Sequence, residues 1–291
     1  MTTRPALHAT ASGRVDDLSE ALLKEAGTQA RGGAAPAVSV WLGDLHGGVL
    51  VARDADRPHY AASTMKLPLV VAAHRQHERG LLDLDDQVEV HNSFASAADG
   101  SAYALDQADD QDDDTWDGLG GRRTLRYLAE HATVRSGNLA TNLLLEAVGR
   151  GAVAEVLTDA GCSTATVLRR GIEDAAAREA GLDNLVTAAD LGLVLRGVAD
   201  GSLAGRPTCA EVEAVLARQQ HRDGIPAGLP AGTYVANKTG WVEGVSHDVA
   251  LVRPGDRPGY VLVVLTTVDV PEDTAAALIA EVSRVVWEGW R

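Results

Sequence analysis

Cysteine and long apolar runs are both scarce in this chain. Its 291 residues include two cysteines, Cys162 and Cys209. Two thiols are too few for a disulfide scaffold or a four-ligand zinc site, so we expect both to be free and packed as small apolar groups. No stretch of about twenty apolar residues exists, which argues against a transmembrane helix. Polar residues interrupt residues 1–25 throughout, so we expect no secretory signal and a cytoplasmic location.

Positive charge is also scarce, and lysine above all. The net charge of −15 argues against a nucleic-acid partner and against docking on an anionic membrane, because both require a basic face. Only three of the 26 basic residues are lysines: Lys24, Lys66 and Lys238. No phosphate-binding glycine-rich loop and no His/Cys cluster at ligand spacing exists, so we expect no cofactor and no metal. The expected partner is a small-molecule substrate, and the oligomeric state stays open.

One stretch, residues 99–121, is strongly acidic. A run of like charges is typical of a solvated loop, and its spacing matches no calcium-binding loop. We therefore expect a solvated loop here, and not a metal site. Its densest part contains Asp109, Asp110, Asp112, Asp113 and Asp114.

Hydrophobic periodicity predicts the order of helices and strands. Residues 15–26 are predicted to form a first helix, and the small residues 27–36 a loop. Further helices are predicted over residues 64–79, 125–131, 138–148, 153–160, 188–198, 210–219 and 274–287. Strands are predicted over residues 38–42, 49–53, 88–90, 234–239, 249–253 and 260–268.

This order predicts an α+β fold in a single domain of residues 1–291. The strands near the two ends of the chain can form one five-stranded antiparallel sheet flanked by the terminal helices, an α/β sandwich. The sheet lobe would comprise about residues 1–62 and 222–291, and an all-α lobe about residues 63–221. Ligand sites favour the cleft between such lobes, so we expect the chemistry there.

A serine and a lysine stand three residues apart in Ser63-Thr64-Met65-Lys66. A serine hydroxyl is a weak nucleophile until a base takes its proton, and positions i and i+3 share one face of a helix. If a helix begins near Ser63, the Lys66 amine can reach the Ser63 oxygen, and the helix N-terminus adds N–H groups and positive potential. Taken alone, the pair is more typical of an N-cap serine and a surface lysine.

A second polar motif, Ser136-Gly137-Asn138, precedes a predicted apolar helix. Ser136 could relay protons there, and Asn138 could hold a substrate amide. The same residues are also common helix caps, so this motif alone is weak.

A third motif, Lys238-Thr239-Gly240, ends a predicted strand. Lys238 would supply positive charge, Thr239 a hydroxyl for a substrate carboxylate, and Gly240 room for a ligand to approach the backbone. An edge-strand lysine followed by a turn is the plain structural alternative.

The three motifs together carry more weight than each alone, because each lies on the element its chemistry needs and two of the three lysines fall within them. In this order they resemble the motifs of class A β-lactamases and penicillin-binding proteins. The resemblance covers nearly the whole chain. It departs from the family at Gly137, where the family usually has Asp. It implies a β-lactamase/transpeptidase-like fold.

The resemblance also implies the role of each site residue. Ser63 would be the acylated nucleophile, Lys66 a base or proton relay, and Ser136 the donor of a proton to the leaving group. Lys238 would bind a substrate carboxylate. The remaining substrate-binding residues implied are Asn138, Thr239, Gly240, Trp241 and Tyr103, with the N–H groups of Ser63 and Trp241 forming an oxyanion hole and Tyr103 facing Lys238 across the cleft.

The segment that should resolve the acyl-enzyme differs from that of class A β-lactamases. Ile172 stands where the water-activating glutamate would be, and Glu173 comes one residue late. The spacing of Arg170, Asp174, Gly181 and Asn184 is similar to that of a related group of serine hydrolases. We expect Arg170 and Asp174 to form a structural ion pair.

Two further residues are acid/base candidates. Glu173 is a candidate general base, as the alternative to a purely structural role for the segment that contains Arg170 and Asp174. His247, on the strand after the third motif, is a candidate acid or base, with a structural role as the favoured reading.

The sequence therefore predicts a serine hydrolase that forms an acyl-enzyme on Ser63 with a β-lactam or a related amide or ester. Because Ile172 leaves deacylation open, an intracellular esterase or acyl transferase of the same fold is an alternative. A penicillin-binding-protein-like peptidase is another. A binding module that keeps the fold without turnover is disfavoured by the intact Ser63, Lys66, Ser136 and Lys238.

Overall fold

The structure is a computed structural model that describes residues 9–27 and 35–291. Most of the predicted loop at 27–36 lies outside these residues. Helices run over Ala9–Glu25 (α1), Lys66–Glu78 (α2), Asp113–Trp116 (α3), Leu125–Val134 (α4), Asn138–Val148 (α5), Arg150–Asp159 (α6), Ala175–Glu179 (α7), Ala188–Asp200 (α8), Arg206–Ala217 (α9) and Glu272–Gly289 (α10). Strands run over Ala37–Asp44 (β1), Val49–Arg53 (β2), His59–Tyr60 (β3), Gln87–Glu89 (β4), Phe94–Ala95 (β5), Ala102–Tyr103 (β6), Arg122–Thr124 (β7), Leu185–Val186 (β8), Tyr234–Val242 (β9), Val245–Arg253 (β10) and Tyr260–Thr267 (β11).

The five long strands form one sheet in the order β2-β1-β11-β10-β9, and every neighbouring pair is antiparallel. The two ends of the chain meet where β1 pairs with β11, from Ala37 opposite Thr267 to Asp44 opposite Tyr260. The predicted α+β fold with a five-stranded antiparallel sheet is therefore confirmed.

The sheet is buried on both faces, and the alternation of its side chains divides the core in two. In β11, Val261, Val263 and Leu265 join the apolar cluster shared with the helices of the middle of the chain. Leu262 and Val264 point the other way, into a cluster with α1 and α10. Because successive side chains of a strand point to opposite faces, a strand buried on both sides has a continuous apolar sequence.

Helix α8 covers the face of the sheet that Val261, Val263 and Leu265 point to, although the sequence pattern predicted it in the all-α lobe. It packs on β1, β10 and β11. A side chain on its Gly192 would lie 2.4 Å from the indole of Trp41, so this glycine allows the helix to lie against the strand. Helices α4, α5, α6 and α9 pack around α2, whose residues from Lys66 to Arg75 are all buried.

The acidic stretch matches the predicted solvated loop only in part, because most of its aspartates are exposed but some of its residues are folded and buried. It contains β6 and α3, and the side chain of Asp112 is wholly buried. Asp110 accepts hydrogen bonds from the backbone N–H groups of Asn138 and Leu139 at the start of α5 (2.7 and 2.8 Å). Asp110 and Asp112 can lie close together here because each carboxylate has its own set of donors, one of them a helix N-terminus.

Both cysteines are free, as predicted, with Cys209 buried and Cys162 partly so. Among the described residues, no helix combines the length and apolar character needed to cross a membrane.

Candidate active site

Ser63 lies in a 3-10 turn, Ala62–Met65, that leads directly into α2. It opens onto a cavity of about 600 Å³, here called the Ser63 cavity, whose walls include Ser136, Asn138, Ile172, Glu173 and Trp241. Ala62 has φ +43°, a left-handed conformation that bends the chain just before the serine. The turn therefore presents Ser63 to the cavity at the N-terminal end of a buried helix.

The same turn presses against the end of β9 at Gly240. A Cβ on Gly240 would lie 2.9 Å from Ser63 N and 2.8 Å from Thr64 N. We expected this glycine to admit a ligand, and the structure shows that it first admits the backbone of the Ser63 turn. Only the absence of a side chain lets the Ser63 N–H lie beside the strand.

Two buried lysines meet at Ser136. Lys66 Nζ donates to Ser136 O (2.5 Å), to Asn138 Oδ1 (3.0 Å) and, at longer range, to Ser136 Oγ (3.4 Å). Lys238 Nζ donates to Ser136 Oγ (3.1 Å) and to Thr239 O (2.8 Å). Among the described residues no hydrogen bond joins Lys66 to Ser63, so the resting amine points toward Ser136.

Burial dominates the electrostatics of both lysines. It lowers the pKa of Lys66 to about 7, against the opposing charges of Asp110 and Asp112. Burial also lowers the pKa of Lys238 well below its ordinary value, and the nearby Lys66 charge acts in the same direction. An amine with a pKa near 7 exists in both protonation states near neutral pH, which suits a proton carrier.

The turn that carries Ser136 is conformationally unusual. Ser136 has φ +63°, in the left-handed region that favours glycine. Gly137 N donates to His131 O (3.1 Å), and Asn138, the first residue of α5, donates through Nδ2 to Asp109 O (3.0 Å). This backbone strain at a residue between two lysines is typical of a functional site.

Thr239 carries an unpaired hydroxyl. Its side chain is 5% exposed, and Oγ1 has no hydrogen-bond partner among the described residues. An unsatisfied buried hydroxyl costs about 1–3 kcal/mol, so it is a ready donor for a ligand oxygen.

The segment after Arg170 holds Ile172 firmly in the cavity wall. Asn142 accepts a hydrogen bond from Ile172 N (2.8 Å) and donates to Ile172 O (3.0 Å). Asn142 lies one turn after Asn138 on α5, and that i, i+4 spacing is the signal by which sequence reasoning could have found it. The side chain so placed is apolar and cannot activate water.

Glu173 also lines the cavity, with φ +61°. Its Oε2 accepts from Asp106 N (2.8 Å), whereas its buried Oε1 has no hydrogen-bond partner among the described residues. Burial raises the pKa of Glu173, as do the neighbouring carboxylates Asp109, Asp106 and Asp110, although the Asp106 N–H opposes the rise.

The expected ion pair between Arg170 and Asp174 is replaced by other contacts. Arg170 pairs with Asp183 (3.1 Å). Asp174 instead caps α7 through Ala177 N (3.0 Å) and accepts from Ser96 Oγ (2.7 Å). Arg170 and Asp174 therefore each contact a different loop, and the spacing in the sequence could not indicate those partners.

Four of the predicted substrate-binding and acid/base residues do not line the Ser63 cavity, and three of them, Thr239, Gly240 and His247, line a smaller cavity that shares Trp241 with it. Tyr103 lies in the wall of a second cavity, where its hydroxyl accepts from Asn142 Nδ2 (3.3 Å), because Gly171 leaves the room for it there. His247 is buried in β10, with Nε2 2.9 Å from Tyr60 O and Nδ1 2.8 Å from Ser246 O. Burial lowers its pKa to about 4, so the structure favours the structural role.

Trp241 lies at the cavity edge, with its ring 4.6 Å from that of His221. Within residues 9–27 and 35–291, two groups bring three potential metal-ligand atoms within 4.8 Å of one another, and neither lines the Ser63 cavity: His77, Asp83 and Asp85, and Asp112, Asp114 and His131.

Comparisons with known proteins agree with this architecture. The model of the β-lactamase enzyme family matches residues 19–290. An ancestral class A β-lactamase of Gram-negative bacteria is 26% identical, with a TM-score of 0.76 over 96% of this chain and 99% of that one. A β-lactamase from Sphaerobacter thermophilus is 22% identical, with a TM-score of 0.77 over 98% and 97% of the two chains.

A further solved structure, described as PBP-A, is 20% identical, with a TM-score of 0.73 over 94% of this chain and 95% of that one. A comparison with curated protein sequences gives no match. Because the family model spans nearly all of the sequence, the chain belongs to the β-lactamase enzyme family.

Proposed function

We propose that this protein is a serine hydrolase that forms an acyl-enzyme on Ser63 with a β-lactam or a related amide or ester. The observation that carries the proposal is the meeting of Lys66 and Lys238 at Ser136 in the wall of the Ser63 cavity. Membership of the family and the similarity to class A β-lactamases support β-lactams as the first substrates to test.

Acylation begins with the Ser63 proton. A neutral Lys66 amine, present at pH 7 because of its lowered pKa, turns from its resting contacts with Ser136 and takes that proton as Ser63 Oγ attacks the substrate carbonyl. The proton then passes through the Ser136 hydroxyl, which lies within reach of both lysines, to the leaving nitrogen or oxygen. The carbonyl–heteroatom bond breaks, and the acyl group stays on Ser63.

Two groups hold the substrate for that step. The Lys238 ammonium and the unpaired Thr239 hydroxyl bind a substrate carboxylate, whose charge offsets the burial of the lysine. The Ser63 N–H, beside Gly240 at the start of α2, donates to the developing oxyanion together with the Trp241 N–H.

The rate of deacylation distinguishes a hydrolase of β-lactams from an esterase or acyl transferase. Glu173, which lines the same cavity wall with an Oε1 that has no partner among the described residues, is the remaining general-base candidate. Ile172 itself offers no proton acceptor, which favours a long-lived acyl-enzyme with β-lactams. This single observation also favours the second candidate, an esterase or acyl transferase whose acyl group is released more easily or passed to an amine.

Intact-mass analysis over time, with a fluorescent penicillin and a chromogenic cephalosporin, tests the proposal. Rapid colour without a lasting adduct would indicate a β-lactamase, and a persistent adduct on Ser63 would indicate acylation with slow release. Ester hydrolysis that Ser63→Ala abolishes, without reaction with β-lactams, would favour the esterase. Turnover that survives Ser63→Ala would refute the nucleophile.

A further inference from the structure

The turn that carries Ser136 is contacted from outside the three motifs by Asp112. A Cβ on Gly137 would lie 2.8 Å from Asp112 Cβ and 3.0 Å from Asp112 Oδ2. The backbone of Gly137, with φ −56° and ψ 128°, is one that any residue can adopt. Glycine is therefore required at 137 by the Asp112 side chain, and not by the backbone conformation.

We propose that Asp112 is a positioning residue for Ser136: its carboxylate fills the space that a side chain at position 137 would take and fixes the turn between α4 and α5. The inference rests on the proposed function of the Ser63 site and deepens it. It assigns to the acidic stretch a part in the proton relay.

Asp112 is itself held rigidly. Its side chain is wholly buried, and it accepts hydrogen bonds from Thr115 Oγ1 and from His131 Nδ1 (2.9 Å to Oδ2), with Arg135 Nε 3.7 Å away. Burial disfavours the charged carboxylate, but the hydrogen bonds from His131 and Thr115 and the charge of Arg135 outweigh it and lower its pKa. Asp112 is therefore an ionised group at a fixed position.

The residues that hold Asp112 are the ones that shape the turn. The His131 ring donates a hydrogen bond to Asp112. The backbone carbonyl oxygen of His131 accepts hydrogen bonds from Gly137 N (3.1 Å) and Arg135 N (3.3 Å). Ser136, in its left-handed conformation, lies between these two donors. Both of its neighbours are thus tied to Asp112, directly or through His131, so a shift of Asp112 moves the Ser136 oxygens away from the lysines.

The charge of Asp112 provides a second link to the site. Asp110 and Asp112 both favour the charged form of the buried Lys66, whose Nζ donates to the Ser136 oxygens. Removing the Asp112 charge should therefore lower the pKa of Lys66 further. A variant that removes the charge but keeps the size of the side chain isolates this effect, because displacement of the turn would itself change the hydrogen bonds from Lys66 to Ser136 and Asn138.

Moving the carboxylate from one position to the other tests the volume argument. Asp112→Gly should lower the rate constant for acylation by a fluorescent penicillin by about 100-fold, the order of effect expected from an ångström-scale displacement of a catalytic group. Gly137→Asp alone should lower both acylation and the melting temperature, because its Cβ has no room. The double variant Asp112→Gly/Gly137→Asp should recover acylation to within about tenfold of the wild type. A double variant no better than Asp112→Gly, or a Gly137→Asp protein equal to the wild type, would overturn the proposal.

A charge-only comparison tests the link to Lys66. Asp112→Asn keeps the size of the side chain, and Asp117→Asn is a matched control at an exposed position of the same stretch. The chain has only three lysines, so carbon-13 labelling of lysine Cε gives three NMR signals, and Lys24→Arg and Lys238→Arg assign them. Asp112→Asn should lower the Lys66 pKa and shift the pH profile of acylation with it, and Asp117→Asn should not. Equal effects of the two variants, or none from Asp112→Asn, would refute the proposal.

The failure of the proposed function is distinguishable from these outcomes. A wild-type protein that no β-lactam or ester acylates would refute the serine hydrolase proposal. The melting temperatures of the four proteins and the Lys66 titration would then still decide for or against Asp112.

Discussion

Replacing Gly240 by alanine should slow acylation of Ser63 with little loss of fold. The new Cβ would lie 2.8 Å from Thr64 N and 2.9 Å from Ser63 N, whereas ordinary contact begins at 3.4 Å. The turn must therefore retreat from β9 by about 0.6 Å, the difference between 3.4 and 2.8 Å. Because a misplacement of about 1 Å costs on the order of 100-fold in rate, we expect Gly240→Ala to lose on the order of tenfold.

The assay is the second-order rate constant for labelling by a fluorescent penicillin, measured beside the melting temperature. Gly151→Ala is the matched control, since a Cβ on Gly151 in α6 meets no atom within 4 Å. It should keep the wild-type labelling rate and gain slightly in stability from the better helix propensity of alanine. Gly240→Ala labelling at the wild-type rate, or an equal loss in Gly151→Ala, would refute the argument from the Ser63–Gly240 approach.

Three further predictions concern proton transfer and pH. The acylation rate should rise with pH through about 7 as Lys66 loses its proton, and stopped-flow labelling of Lys66→Arg should show no such limb. Ile172→Glu should speed release of a penicilloyl adduct by about 100- to 10,000-fold, the range of general-base catalysis, while Ile172→Gln should not, as mass spectrometry of the adduct over time will show. Burial lowers the pKa of His59 to about 3 and that of His247 to about 4, so the unfolded state binds more protons below about pH 6.5. The two histidines should therefore not affect the free energy of unfolding, measured in urea, above that pH. Below it, this free energy should fall by up to about 1.4 kcal/mol per histidine per pH unit. A flat profile between pH 7 and 5 would contradict this expectation.

The local sequence pattern predicted the helices and strands well where burial in the core requires apolar residues. The runs in β1 and β11 are apolar because both faces of the sheet are buried, and such runs are visible without a structure. The start of β10 was placed four residues late, because its first part contains Ser246, His247 and Asp248, which are polar and yet buried. His247 Nε2 lies 2.9 Å from Tyr60 O, and the Asp248 carboxylate accepts from Ile225 N, so both are bonded to residues far away in the chain, which periodicity does not register.

The candidate site likewise contains residues that local motifs predicted and residues that only the structure brought to it. The three motifs placed Ser63 and Lys66 at a helix start and Ser136 in a turn, since such positions have local signatures. Lys238 does lie on the predicted strand, but in its middle and not at its end, because β9 continues to Val242. The contribution of Asp110 and Asp112 was missed, because a run of aspartates in isolation is typical of a solvated loop. Only the N–H groups of α5 and the ring of His131, supplied by distant residues, make their burial favourable.

The sequence by itself determined the order of the long helices and of the five sheet strands, the candidate nucleophile and proton carriers, and the lack of a glutamate at Ile172. These properties depend on residue identity and short spacing. The tertiary structure alone decided that Lys66 rests on Ser136, that Arg170 pairs with Asp183, and that Tyr103 lies outside the Ser63 cavity. Those outcomes depend on which groups are close in space, and burial sets both the pKa of Lys66 and the pairing of each charge only once the chain has folded.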